Sequence, residues 1–393
     1  MNTSRRRLGV AALVMTALTL AACGDDDDDA GGADTTAASG DTTGATTGAT
    51  TGDTTGATTG DTTGATTGDT TGATGGSAPA GGGDYVIGVS NTLAGNGWRE
   101  EMICAVKAEA LASGQASQVI AISKNGGPSD QIQDLQNLIS QGVDAIILNP
   151  SDREQLNPVI EEAIAQGIVV VAVDQAVTAE GAYVVTNDQV EYGRLGAQWL
   201  ADSLGGEGNV LYMRGIDGVP ADADRNQGFT EVMEQYPDIT TKEVFSGWDF
   251  TQGGDIAVQE LTADTYDGIW TSGIDYTVVN AFETTGHEPV PVVGADNNEF
   301  VHQLIEGQPG ALVTNPAVIG GAGTAVAIQA LNGESPEQTT LLTPQVWDAE
   351  NNMADLEANY FEDRDPTFSS AVSIENYTSF TPEQLFACKG PGE

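Results

Sequence analysis

From Tyr85 to about residue 332 the chain keeps one beat: a short run of β-branched and apolar residues, a stretch with helical spacing, then another short apolar run. Tyr85 to Ser90 reads as a buried strand and Trp98 to Ser113 as a helix. Val119 to Ile122 is a strand again, followed by a helix from Ser129 to Gln141 whose Ile132, Leu135, Leu138 and Ile139 share one face. Ala145 to Leu148 is a strand, Arg153 to Gln166 a helix, and Ile168 to Val173 a strand. Further strands fit 182–186, 209–213, 241–245, 268–271, 290–294 and 310–314, with helices at 189–204, 222–236, 251–263, 275–285, 297–306 and 316–332. Such alternation means parallel sheets covered by helices on both faces. About eleven or twelve strands are too many for one comfortable open sheet. The predicted fold is therefore α/β, with two doubly wound parallel-sheet lobes. In such sheets ligands sit beyond the carboxyl ends of the strands, so the loops after strands are where a site is expected.

The chain upstream of this beat has a different character. Met1 to Arg7 carries three consecutive arginines, and Leu8 to Ala22 is an apolar run too short for a permanent membrane span of roughly 20 residues. Leu20-Ala21-Ala22-Cys23 followed by Gly24 resembles the bacterial lipoprotein box, in which the cysteine is acylated. Residues 1–22 are thus expected to be a lipoprotein signal peptide, with Cys23 the lipidation site. Ser4 to Leu8 also faintly resembles a twin-arginine signal, which leaves the export route open. Asp25 to Asp29 and the Asp/Ala-Thr-Thr-Gly repeats that follow hold nothing apolar larger than Ala up to Gly72. They cannot bury surface to offset chain entropy, so 23–83 is read as a tether, its threonines possible glycosylation sites.

Charge narrows the partners. The chain has 57 acidic against 13 basic residues, a formal net charge of −44. A surface this acidic repels phosphate backbones, which excludes nucleic acid. The tether holds ten of the acids and the signal three of the bases, leaving 47 acids and ten bases from residue 84 on, a net −37. A domain so charged repels itself at low salt and suits a saline setting, where counter-ions screen its surface.

The loops after the strands carry informative side chains. Ser90 begins a run containing Asn96, Trp98 and Arg99, and Asp174-Gln175 follows the fourth strand. Gly215 to Arg225 includes Asp222 and Arg225. Further on come Trp248, Ser272 to Tyr276 with Asp275, Asp296 to Asn298, and Thr314-Asn315. Tryptophans beside bidentate donors and acceptors suit a sugar, with apolar C–H faces and an equator of hydroxyls. One Asp after a strand is usually a helix cap and one Trp is usually core. Seven loops doing so along one edge form a candidate site.

At this point residues 84 to about 332 resemble a type I periplasmic-type sugar-binding protein, the ribose/galactose-binding family that serves ABC importers. The resemblance rests on Asn96-Gly97-Trp98, Leu148 to Asp152, Val171 to Asp174, Val184 to Asp188, Gly215 through Arg225 to Phe229, and Val292 to Asp296. It implies that Asn96 and Asp174 bond ligand hydroxyls, that Arg225 clamps ring or hydroxyl oxygens, and that Asp296 accepts from paired hydroxyls. Trp98 and Trp248 would sandwich the ring. Ser90, Gly273 or Asp275, and Thr314 or Asn315 lie where the family has further polar contacts, and Asp222 is an extra acceptor. Two departures stand out. Arg99 replaces a second aromatic and Gln175 replaces the usual Arg, so that Arg99 would supply the cation Gln175 lacks. The exchange departs from a ribose pocket and leaves room for another pentose, a hexose, a polyol or a mildly anionic ligand.

The resemblance also implies a first lobe of 84–187 plus about 316–340, and a second of 188–315 with 341–393 as its tail. Crossovers would lie near Asn187–Asp188, Asn315–Pro316 and 335–345. Ligand contacts to both lobes would favour hinge closure, and the closed form would be read by an ABC permease. With Cys23 lipidated, Cys104 and Cys388 are an even pair in an exported protein, which predicts a disulfide from the tail to the first helix; two free buried thiols are the alternative. The two histidines, His287 and His302, have no partner at metal spacing, and no nucleophile elbow or phosphate loop occurs. An enzyme, a metal and a cofactor are accordingly not expected. The reading is a monomeric, extracytoplasmic, lipid-anchored binding protein. A ligand-presenting sensor of the same fold and, less favoured, a surface-anchored hydrolase are the alternatives.

Overall fold

The computed structural model describes residues 83–393. The expected signal peptide, the lipidation site Cys23 and nearly all of the tether lie outside the described residues. The first lobe runs β1 (Tyr85–Asn91), α1 (Gly97–Ser113), β2 (Ala116–Ser123), α2 (Pro128–Ser140), β3 (Ala145–Leu148), α3 (Asn157–Ala165), β4 (Val169–Val173) and β5 (Tyr183–Asn187). The second runs α4 (Gln189–Ser203), β6 (Glu207–Arg214), α5 (Pro220–Met233), β7 (Asp238–Phe245), α6 (Phe250–Ala263), β8 (Gly268–Trp270), α7 (Asp275–Thr285), β9 (Val292–Ala295), α8 (Asn298–Ile305) and β10 (Gly310–Val313). The chain then returns to the first lobe with α9 (Ile319–Leu331) and β11 (Thr339–Leu342), and crosses again for β12 (Val346–Asp348) and α10 (Met353–Ala358). A last helix, α11 (Pro382–Ala387), packs on α1.

Each lobe holds one six-stranded sheet, in the orders β11-β5-β4-β3-β1-β2 and β12-β10-β9-β8-β6-β7. All pairings are parallel except β12 against β10. The central strands are apolar without alternation because helices cover both their faces. β3 is buried along its whole length, and its Ala145 and Ile147 face α1 and α9 while Ile146 and Leu148 face α2 and α3. Leu135 and Leu138 of α2 are buried in that second layer with Ile132 and Ile139 beside them, as the face drawn from sequence requires. The second lobe has the same two layers, α6 to α8 on one face and α4 and α5 on the other.

Three crossings form one bonded hinge. Asp188 N donates to Leu342 O (2.9 Å), Asn187 Nδ2 to Thr314 O (2.8 Å), and Thr314 N to Gln345 O (2.9 Å). The tail, expected with the second lobe, divides between the two: β12 and α10 stay on the second, and α11 lies on the first. The Cys104–Cys388 disulfide, with its Cα atoms 4.5 Å apart, fixes that end to α1.

Candidate functional site

The carboxyl ends of both sheets face each other across a cleft of about 550 Å³, its mouth included. The first lobe contributes Asn96, Trp98, Arg99 and Asp174; the second contributes Arg225, Trp248 and Asp296; the hinge contributes Asn315. Eight of the residues expected from sequence therefore share one cavity.

Each is aimed by its element. Asn96 caps α1, accepting from Arg99 N (3.1 Å), and its Nδ2 reaches across to Trp248 O (3.0 Å). The capping role expected of such residues and a place in the site are thus filled by one side chain. Asp174 and Trp248 both adopt left-handed backbone, at φ 65° and 52°. Asp tolerates that region; for a bulky Trp it is a strained conformation of the kind held at ligand sites. Trp98 Nε1 donates to Asn315 O (2.6 Å), which stands the indole against the hinge. Arg225 lies on Tyr192, its guanidinium carbon 4.1 Å from the ring centroid, and donates from Nε to Gln189 Oε1 (2.8 Å). Gln189 in turn donates to Asp174 Oδ1 (2.9 Å) and Asn315 Oδ1 (3.2 Å), tying second lobe, first lobe and hinge at one amide.

Four expected residues lie elsewhere, and each has a physical reason. Ser90 is fully buried under the cleft and accepts from Gln131 Nε2 (3.2 Å). Gln175 donates to Asn149 Oδ1 (2.7 Å) and accepts from Ala221 N of the second lobe (3.0 Å), so it joins the lobes beside the cavity rather than within it. Asp222 pairs with Arg214 and accepts from Gly215 N (2.9 Å). Asp275 is wholly buried, accepting from Gly273 N (3.1 Å) and Asn297 Nδ2, and it props up the loops of the wall. The cavity also includes Ser272 and Asn297 from loops marked in the sequence, Gly273, the alternative there to Asp275, and residues not singled out from sequence: Leu93, Phe250 and, from the tail, Thr367 and Ser369.

Charge in the cavity is balanced, with two arginines and two aspartates. None of Arg99, Arg225, Asp174 and Asp296 forms a salt bridge among the described residues. Arg99 donates to Asn91 Oδ1 (3.1 Å), and burial lowers its pKa to about 10. Burial raises Asp296 to about 6 and Asp275 to about 7, and it lifts Glu101 well above the usual carboxylate range. Among the described residues no cluster of His, Cys, Asp and Glu is disposed to hold a metal.

These carboxylates set a pH dependence opposite to ordinary acid denaturation. Unfolded, they hold their protons only below about pH 4; folded, they keep them to about 6 and 7. The stability they confer is full below about pH 4, falls as pH rises from there, and is gone above about 6 for Asp296 and 7 for Asp275. The empty protein is expected to melt higher at pH 5 than at pH 8, by a few kcal/mol of stability. Asp275→Asn should flatten the trend; a melting temperature that falls on acidification over this range contradicts the burial argument.

A family model described as a periplasmic binding protein domain matches residues 87–335. The ribose import binding protein of Bacillus subtilis is 27% identical over 263 residues, 65% of this chain and 85% of that protein. The xylitol-binding protein of Mycolicibacterium smegmatis is 31% identical over 223 residues, 54% of this chain and 63% of that one. The crystal structure of an ABC transporter solute binding protein from Thermobispora bispora superposes with a TM-score of 0.68 at 23% identity, covering 77% of this chain and 94% of its own. That last likeness is one of fold.

Proposed function

The chain belongs to the periplasmic binding protein family, and from that premise we propose that it captures a neutral monosaccharide or polyol between its lobes and delivers it to an ABC importer. The observation that carries this reading is the charge-balanced cavity with a tryptophan from each lobe. Two guanidinium groups and two carboxylates offer bidentate donors and acceptors to vicinal hydroxyls, and the indoles offer flat apolar faces. A net-neutral wall favours a neutral polyhydroxyl over the mildly anionic ligand that the sequence left open. The family relatives matched in sequence are named as binders of ribose and xylitol, which accords with that class.

Capture works through the lobes. Asn96 to Trp248, Gln175 to Ala221, and the ion pair of Arg153 with Asp224 (2.6 Å) bridge the cleft. Ligand bound to both walls adds free energy only to this closed form, which shifts the hinge equilibrium toward it. A permease would read the closed form, and acylation at Cys23 would hold it at the outer face of the membrane. No helix among the described residues is long and apolar enough to cross a membrane. The fold would act here as a carrier without catalysis.

A thermal-shift screen of the protein against D-ribose, L-arabinose, D-xylose, D-galactose, xylitol and myo-inositol tests the reading, with gluconate as the anionic control. A ligand at a hundredfold excess over its Kd stabilises by about 2.7 kcal/mol, which raises Tm by roughly 5 °C or more. A shift with a neutral member and none with gluconate is expected. No shift with any neutral member, or a shift with gluconate alone, overturns the assignment.

A further inference from the structure

The family match ends at residue 335, yet the cavity wall does not. From α10 the tail is held on the second lobe by paired bonds, Asn298 Nδ2 to Phe361 O and Phe361 N to Asn298 Oδ1, both 2.9 Å. It then runs across the cleft. Asn298 N donates to Phe368 O (2.7 Å), Ser369 bridges to Asn297, and Ser370 N donates to Asp296 O (2.8 Å), all on the second lobe. On the first lobe Ser369 N donates to Glu101 Oε2 (2.6 Å) and Ser379 N to Glu109 Oε2 (2.7 Å). Phe368 and Phe386 join an apolar cluster with Ala105 and Ala108 of α1 and Leu385 of α11, and the Cys104–Cys388 disulfide closes the attachment. One residue, Ser369, thus touches both lobes, and the Ser369 hydroxyl lies 3.4 Å from Asp296 Oδ2 inside the cavity. The fit over α1 leaves no slack: a Cβ on Gly97 would land on the Thr367 hydroxyl.

We propose that residues 361–370 form a strap completing the ligand pocket, with Thr367 and Ser369 as specificity-determining residues and the Cys104–Cys388 bridge as its latch. The proposal rests on the sugar-binding reading for what Thr367 and Ser369 recognise, but not for the strap itself. The Ser369 hydroxyl sits beside the Asp296 carboxylate, and Thr367, whose hydroxyl donates to Asp365 Oδ1 (2.7 Å), lines the same wall; together they shape the pattern around one hydroxyl pair of a bound polyol. Since the strap is bonded to both lobes, opening the cleft must break its bonds to Glu101 or those to Asp296. It therefore acts as a fourth connection that slows exchange of ligand.

The test uses the whole chain, oxidised and reduced, in two measurements. Hydrogen exchange of the ligand-free protein reads the amides of Asn298, Ser369 and Ser370, which the strap protects; reduction, or Gly97→Ala with the disulfide intact, should speed their exchange at least tenfold. Unchanged exchange in both cases overturns the latch whether or not any sugar binds. Calorimetry and stopped-flow dissociation with the neutral polyol found in the screen then compare wild type with Ser369→Ala and Thr367→Val. Each variant should lose affinity about tenfold and change its ranking among the sugars, with its melting temperature within a few degrees of wild type. Unchanged affinity and ranking in both overturn the assignment of Thr367 and Ser369. If the wild type binds no sugar, the functional reading fails by itself, and the exchange result still decides the strap.

Discussion

Arg225→Ala is expected to abolish sugar capture while leaving the fold in place. Arg225 is buried, stacked on Tyr192 and tied through Nε to Gln189, and its two terminal nitrogens have no protein partner among the described residues. Those nitrogens are the fork that planar, bidentate recognition of a pair of oxygens requires. Removing them deletes two charge-assisted hydrogen bonds and leaves the cavity with a net negative wall. Affinity should fall at least a hundredfold, about 3 kcal/mol. Arg225→Lys should recover little of it, since an ammonium has no fork. Stability should move by only about 1 kcal/mol, because losing a buried cation without an ionic partner relieves desolvation as it removes packing. Calorimetric titration alongside thermal melting separates the two effects. Retained affinity means that the ligand sits elsewhere.

The contrast between Arg225 and Asp222 shows what the sequence makes legible and what it withholds. The strand–helix beat is a local pattern repeated over the whole core, so the ten strands from β1 to β10 and the nine helices from α1 to α9 fall where the apolar runs and their spacing put them. β11 and β12 are short and lie at sheet edges, where no continuous apolar run is required. Position after a strand brings a residue to the cleft edge but does not fix the side it faces. Asp222 and Arg225 share the first turns of α5; one turns back to Arg214, the other into the cavity. Asp275 and Asp296 likewise follow neighbouring strands, yet only Asp296 reaches the opening. A charge of −37 on the core made its few arginines conspicuous, and two of them, Arg99 and Arg225, line the site. Thr367 and Ser369 carried no signal at all, because the tail has no periodicity and its place depends on bonds to residues more than seventy positions away.

The placement of Arg225 depends on how closely α4 and α5 approach, and that yields a prediction whose sign is opposite to helix propensity. A Cβ on Gly193 of α4 would land on the backbone oxygen of Arg225, and one on Gly228 of α5 on the backbone oxygen of Val190. These glycines let the two helices meet backbone to backbone, which sets Gln189 and Tyr192 of α4 against the Arg225 side chain. By propensity alone, Gly193→Ala inside a helix stabilises by roughly 1 kcal/mol. Here the obstacle is main chain and has no rotamer to escape into, so the helices must part. Overpacking of this kind costs about 3 kcal/mol, and Tm should drop by roughly 5 °C. The separation also moves Arg225 away from Gln189, so the surviving folded protein should bind its sugar at least tenfold more weakly. Gly254→Ala in α6 is the control: its Cβ would meet Thr277 at an ordinary 3.4 Å, so it should leave Tm unchanged or raise it. A Gly193→Ala protein that melts no lower than wild type means that close helix approach does not hold the arginine in place.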